Sequence, residues 1–103
     1  MSHILHVVNK SPTDRYAFDT CFRMASPGDS ILLIEDGVYG ALANAAFADE
    51  ITSRLEDFSF FVLGPDVAAR GLTDDPLTDG LTVVDYEGFV DLVTRHDATQ
   101  SWL

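Results

Sequence analysis

Cysteine is almost absent from this chain. Cys21 is the only one in 103 residues. One thiol cannot close an internal disulfide or supply the paired thiolates of a structural zinc site. It is left as a packing residue, an intermolecular link or a reactive thiol that works with a partner. Basic residues are also scarce: 6 Lys and Arg stand against 17 Asp and Glu, for a formal net charge of −11. Such a surface repels phosphate backbones, so direct nucleic-acid binding is not expected. No apolar run reaches the roughly 18 residues of a membrane helix. Met1-Ser2-His3 leads directly into a strand-like segment, without the basic and apolar stretches of a secretory signal. A soluble, cytoplasmic chain is expected, in keeping with the lack of a disulfide pattern.

What is present suffices for one domain over residues 1–103. Hydrophobic residues make up 47% of the chain, and a chain of this length buries roughly two thirds of its unfolded surface. Ile4-Leu5-His6-Val7-Val8, Ser30-Ile31-Leu32-Leu33-Ile34, Phe58-Ser59-Phe60-Phe61-Val62-Leu63 and Leu81-Thr82-Val83-Val84 are short apolar runs that read as buried strands.

Helical segments separate these runs. Ser11, Pro12 and Asp14 resemble a capping box, opening a helix from about Pro12 to Ala25. Phe18, Cys21, Phe22 and Ala25 form its apolar face. Val38 to Ala48 is rich in glycine and alanine and is expected as a helix that is apolar all round, buried or covered by a partner. Asp49 to Asp57 continues as a polar helix with Ile51 and Leu55 inward. Val67 to Arg70 is a short helix. Tyr86 to His96 is the last, with Phe89, Leu92, Val93 and His96 on one face. Trp102 near the end is either an interface anchor or an aromatic folded back on its own core.

The alternation predicts a small doubly wound (flavodoxin-like) α/β domain. Its mostly parallel sheet should have four to five strands, with helices on both faces. A site is expected beyond the carboxyl ends of the strands, at Asn9-Lys10-Ser11, Glu35-Asp36-Gly37, Gly64-Pro65-Asp66 and Asp85. A flavin phosphate does not fit there. Asn9-Lys10-Ser11-Pro12 has no glycine, Pro12 has no donor, and the neighbouring edges add carboxylates. A phospho-acceptor receiver is equally unsupported, because Asn9 and Lys10 replace its acidic pair. Glu35, Asp36, Asp66 and Asp85 read as turn and cap residues before cation ligands. His6, in mid-strand, reads as a hydrogen-bonded structural residue. His3 and His96 lie near element ends. No cofactor and no metal are expected.

In order along the chain stand Leu5-His6 with Ser11-Pro12, then Leu32-Leu33-Ile34-Glu35-Asp36-Gly37-Val38. Leu63-Gly64-Pro65-Asp66 with Ala69-Arg70-Gly71-Leu72 follows, then Val84-Asp85-Tyr86-Glu87-Gly88-Phe89-Val90 and the late Trp102. Together these segments resemble the DsrH/TusB family of sulfur-relay subunits over nearly the whole length.

The resemblance implies a cytoplasmic subunit that assembles with two paralogues, DsrE- and DsrF-like or TusD- and TusC-like, in a hexamer with two copies of each. Such complexes pass persulfide sulfur between proteins. One branch serves sulfur oxidation through a DsrC-type carrier. The other serves 2-thiolation of the tRNA wobble uridine, with TusE in the carrier's place. Cys21 matches a cysteine found in the first helix of DsrH proteins and commonly lacking in TusB, so the resemblance points toward the DsrH branch and makes Cys21 the candidate persulfide carrier. The family's principal sulfur-accepting cysteine lies on the larger paralogue. The helical neighbours of Cys21 are apolar and do nothing to stabilise a thiolate. An inert Cys21 in a scaffolding or docking subunit therefore remains open, as does a ligand-binding or regulatory module outside the family.

Overall fold

In the computed structural model, residues 3–11 and 15–102 are described; for Arg15 and Tyr16 only the backbone is. The expected cap around Pro12 and Asp14, the first two residues Met1-Ser2 and the terminal Leu103 lie outside the described residues. Five parallel strands, β1 (Ile4–Val8), β2 (Ser30–Leu33), β3 (Ser59–Leu63), β4 (Thr82–Val84) and β5 (Ala98–Trp102), form one sheet in the order β4-β3-β2-β1-β5. The chain steps from β1 to β4 in one direction. Helix α1 (Arg15–Met24), a 3-10 helix (Glu35–Ala41), α2 (Ala48–Ser53) and α3 (Gly64–Ala69) accompany those steps. It then returns past three strands, through α4 (Tyr86–Arg95), to place β5 beside β1. Right-handed crossovers put helices from opposite directions of travel on opposite faces.

The side chains follow that division. Val8, Ile31, Leu33, Phe60 and Val62 pack with Phe18, Cys21 and Phe22 of α1, with Val38 and Ala41, and with Phe47 and Ile51. Leu5, Val7 and Leu32 point the other way, against Leu92 and the half-buried Phe89 of α4. Phe18, Phe22 and Phe47 form an aromatic cluster, with Phe18 stacked on Phe47 at 4.6 Å between ring centroids. Each large side chain buried in this way contributes about 1.5–3 kcal/mol.

The structure corrects several expectations. Val38–Ala48 is not a helix covered all round. It is the end of the 3-10 helix followed by turns, with Ala43, Asn44 and Ala46 exposed. The physical reason lies in the 73–80 loop. Ala43 N–H donates to Pro76 O (2.9 Å), Thr78 N–H donates to Ala41 O (2.8 Å), and Leu42 bridges Leu77. The backbone of this segment is therefore satisfied across the loop instead of along a helix. The inference of a covering partner drawn from that helix loses its ground. Strand β4 is a short, exposed edge and not a buried run, and Val93 faces outward from α4. The last helical turn expected at His96 is instead the C-cap, and the segment after it forms β5.

Gly37 allows the 3-10 helix to lie against β1. A Cβ there would run into the Val8 carbonyl, which already accepts from Ile34 N–H at 3.0 Å. Gly37→Ala should therefore cost about 1–3 kcal/mol through overpacking. Urea denaturation measures this, and an unchanged midpoint would show that the 3-10 helix sits more loosely than described.

Candidate functional site

Two groups of residues could carry chemistry: the carboxyl edge of the sheet, and the polar cluster beneath α1. At the edge, two of the four candidate carboxylates hold backbone and a third pairs with an arginine. Asp66 accepts from Glu35 N–H (2.6 Å), where Glu35 adopts a positive φ of 50°. Asp36 accepts from Arg70 Nε (3.0 Å), an exposed carboxylate paired with a mostly buried guanidinium. Asp85 caps α4 by accepting from Gly88 N–H at 2.8 Å. Two of the four, Asp66 and Asp85, therefore act as turn and cap groups, and Asp36 is held in an ion pair. Among the described residues, no three His, Cys, Asp or Glu side chains come together as a metal-ligand set. Asn9 and Ser11 are half-buried and Lys10 is exposed beside them.

The second group centres on Asp29, which no pattern in the sequence singles out. It is buried at the start of β2. Its Oδ1 accepts from Ile4 N–H (3.0 Å), and its Oδ2 accepts from Ser26 N–H (3.0 Å) and from His6 Nε2 (2.8 Å). The indole N–H of Trp102 donates to His6 Nδ1 at 3.0 Å, and the two rings stack at 6.0 Å and 19°. Since Nδ1 accepts, the proton sits on Nε2 and points at the carboxylate. His6 is thus a hydrogen-bonded structural residue, as its mid-strand position suggested. Trp102 folds back on its own core. Burial works against the charge of Asp29, but the Ser26 and Ile4 amides and then His6 outweigh it, and its carboxyl is held below the ordinary value.

His96 is fixed in the opposite tautomer. Its Nδ1–H donates to Leu92 O (2.6 Å), and its Nε2 accepts from the Ser30 hydroxyl (2.8 Å). His3 and Asp97 clasp each other through His3 N–H to Asp97 Oδ2 (2.9 Å) and Asp97 N–H to His3 O (3.0 Å). The three histidines therefore belong to the joins between β1, β2 and β5.

Cys21 lies on the buried face of α1, fully shielded from solvent. Burial, and then the negative charge of Asp29, push its thiol up to about 12. Such a thiol stays neutral at pH 7, and the thiolate is the nucleophile. The spacing of the apolar residues in α1 made its burial legible. The charge opposing its ionisation was not, because Asp29 enters from outside the helix.

These features define an all-parallel α/β domain whose buried polar cluster joins its strands. The comparisons supply the family. A profile described as "DsrH like protein" matches residues 10–99. Protein TusB of Pectobacterium parmentieri is 35% identical over 101 residues, covering 96% of this chain and 100% of that protein. Protein TusB of Escherichia coli (strain K12) is 32% identical over 101 residues with the same coverage. Two solved structures share the fold. One is a protein of unknown function, MTH1491, from Methanobacterium thermoautotrophicum (TM-score 0.75, 15% identity, 97% of each chain). The other is the ychN protein from E. coli (TM-score 0.75, 16% identity, 98% of this chain and 99% of that one). The chain belongs to the DsrH/TusB family of sulfur-relay subunits, which work in complexes with other subunits. Among the described residues no helix is long and apolar enough to cross a membrane.

Asp29 also sets a pH dependence. Its folded-state value lies below the unfolded one of about 3.9, so its contribution is present above that pH and is lost as pH falls through the folded value. Asp29→Asn should cost about 1–3 kcal/mol at pH 7, and the gap to the wild type should shrink below about pH 4. Urea unfolding of both proteins between neutral and acid pH checks this. A gap that stays constant into strong acid would remove the charge from the explanation.

Proposed function

We propose that this chain is a docking subunit of a cytoplasmic sulfur-relay complex of the TusB type, serving 2-thiolation of the tRNA wobble uridine. The state of Cys21 carries this reading. Its sulfur is sealed beneath α1 and held as a neutral thiol by burial and by Asp29. A persulfide carrier needs a reachable thiolate. The sulfur-bearing cysteine then belongs to the larger, TusD-like paralogue. The partners are that chain and a TusC-like one, in a hexamer with two copies of each, together with a TusE/DsrC-type carrier.

The full-length similarity to proteins named TusB favours the tRNA branch. The sulfur-oxidation reading, with transfer to a DsrC-type carrier, rests on the position of Cys21 in the first helix. A thiol that only packs is a weak mark of that chemistry. It remains the second reading, and it requires α1 to lift from the sheet before Cys21 can accept sulfur.

The two are separated in a strain of the source lacking this gene. Loss of 2-thiouridine from tRNA is expected, restored equally by the wild-type chain and by Cys21→Ala. Unchanged 2-thiouridine together with impaired sulfur oxidation would overturn the branch. Failure of Cys21→Ala alone, with the variant folded, would overturn the docking role.

A further inference from the structure

Among the described residues, α4 is the helix that packs on the second face of the sheet, through Leu92 and Phe89. A lone covering helix normally turns a polar side to water. Here the outward side carries Tyr86 (59% exposed), Val90 (63%) and Val93 (41%), spaced at i, i+4 and i+7. Val83 (54%), paired with Val62, projects from the other side of the edge strand β4. Two shallow concavities lie at the carboxyl end of β4 and along the Val90 side of α4. One, of about 440 Å³, lies among Gly64, Pro65, Val83 and Val84; the other, of about 530 Å³, lies among Glu87, Val90, Asp91 and Thr94. Asp85 and Gly88 line both, so the two adjoin.

Contiguous apolar exposure rimmed by charge is the mark of an interaction surface. The rim decides the occupant. Asp85 and Glu87 are exposed, and Asp91 is exposed in an ion pair with Arg95 at 3.2 Å. The surface is net acidic on a chain of net charge −11. A second copy of this chain would bring like charge to it, whereas a basic partner would gain from both terms.

We infer that the groove running from the carboxyl end of the edge strand β4 along the Val90 side of α4 docks a protein segment presenting an apolar side chain flanked by Lys or Arg. This deepens the docking-subunit reading and rests on it for the existence of a protein partner. The apolar side chain fills the space beside Val83 and Val90, and its basic neighbours face Asp85, Glu87 and Asp91.

The test uses the full chain co-expressed with its TusC- and TusD-like paralogues. Val90→Glu adds like charge and removes apolar surface at an exposed position, so the fold should persist, as circular dichroism would check. Met24→Glu, at an exposed position on α1 (61%) across the sheet, is the control. Val90→Glu should weaken association by about tenfold or more, Met24→Glu should leave it unchanged, and raised salt should weaken the wild-type complex. Normal assembly of Val90→Glu would overturn the groove while leaving the docking reading in place. Self-association of the wild type lost in Val90→Glu, with paralogue binding intact, would overturn the basic partner in favour of a second copy. A wild-type chain that binds neither paralogue would overturn both the reading and the groove.

Discussion

The buried carboxylate of Asp29 is the constraint on which the rest depends. It gathers the amide that opens β1, the amide of the turn leaving α1 and the imidazole of His6, while His6 in turn receives the indole of Trp102 from β5. Strands 2, 1 and 5 are neighbours in the sheet, and this chain of bonds links them through side chains as well as through the ladder. Every donor around Asp29 would be left without a partner if the carboxylate were removed, and an unsatisfied buried donor costs more than a hydrogen bond contributes. The same charge opposes ionisation of Cys21. The device that secures the central strands thus keeps the lone thiol in its least reactive form.

This coupling separates the structural and functional halves of the molecule. The face under α1 is devoted to packing: aromatic rings, a neutral thiol and a saturated polar cluster. The opposite face is thinly covered, and its one helix leaves apolar side chains in water. On the docking reading proposed above, a relay subunit that moves no sulfur itself still has to position the chains that do. Its informative surface is then an interface, and the polar groups at the strand ends serve as caps.

How much of this was legible from the sequence follows from which interactions are local. The first three strands are continuous apolar runs, and α1 has a clear apolar stripe, so both could be read directly. Strand β5, Ala98–Trp102, is polar and exposed because it pairs on one side only. No hydrophobic signal marks it. The alanine-rich stretch after Gly37 has helical composition, yet its hydrogen bonds go to a loop more than 30 residues away. The structural role of His6 could be read from its place in the strand. Its partners could not, since Asp29 and Trp102 lie 23 and 96 residues further along. The partners of the edge carboxylates were hidden for a similar reason: Asp66 and Asp36 meet theirs only in the folded chain.

The central claim is that Cys21 packs and does not carry sulfur. Its most direct test exposes the assembled complex to a persulfide donor and locates added sulfur by mass spectrometry of intact subunits and their peptides. The account predicts persulfide on the larger paralogue and an unmodified Cys21. Sulfur found on Cys21 in the folded complex would contradict it.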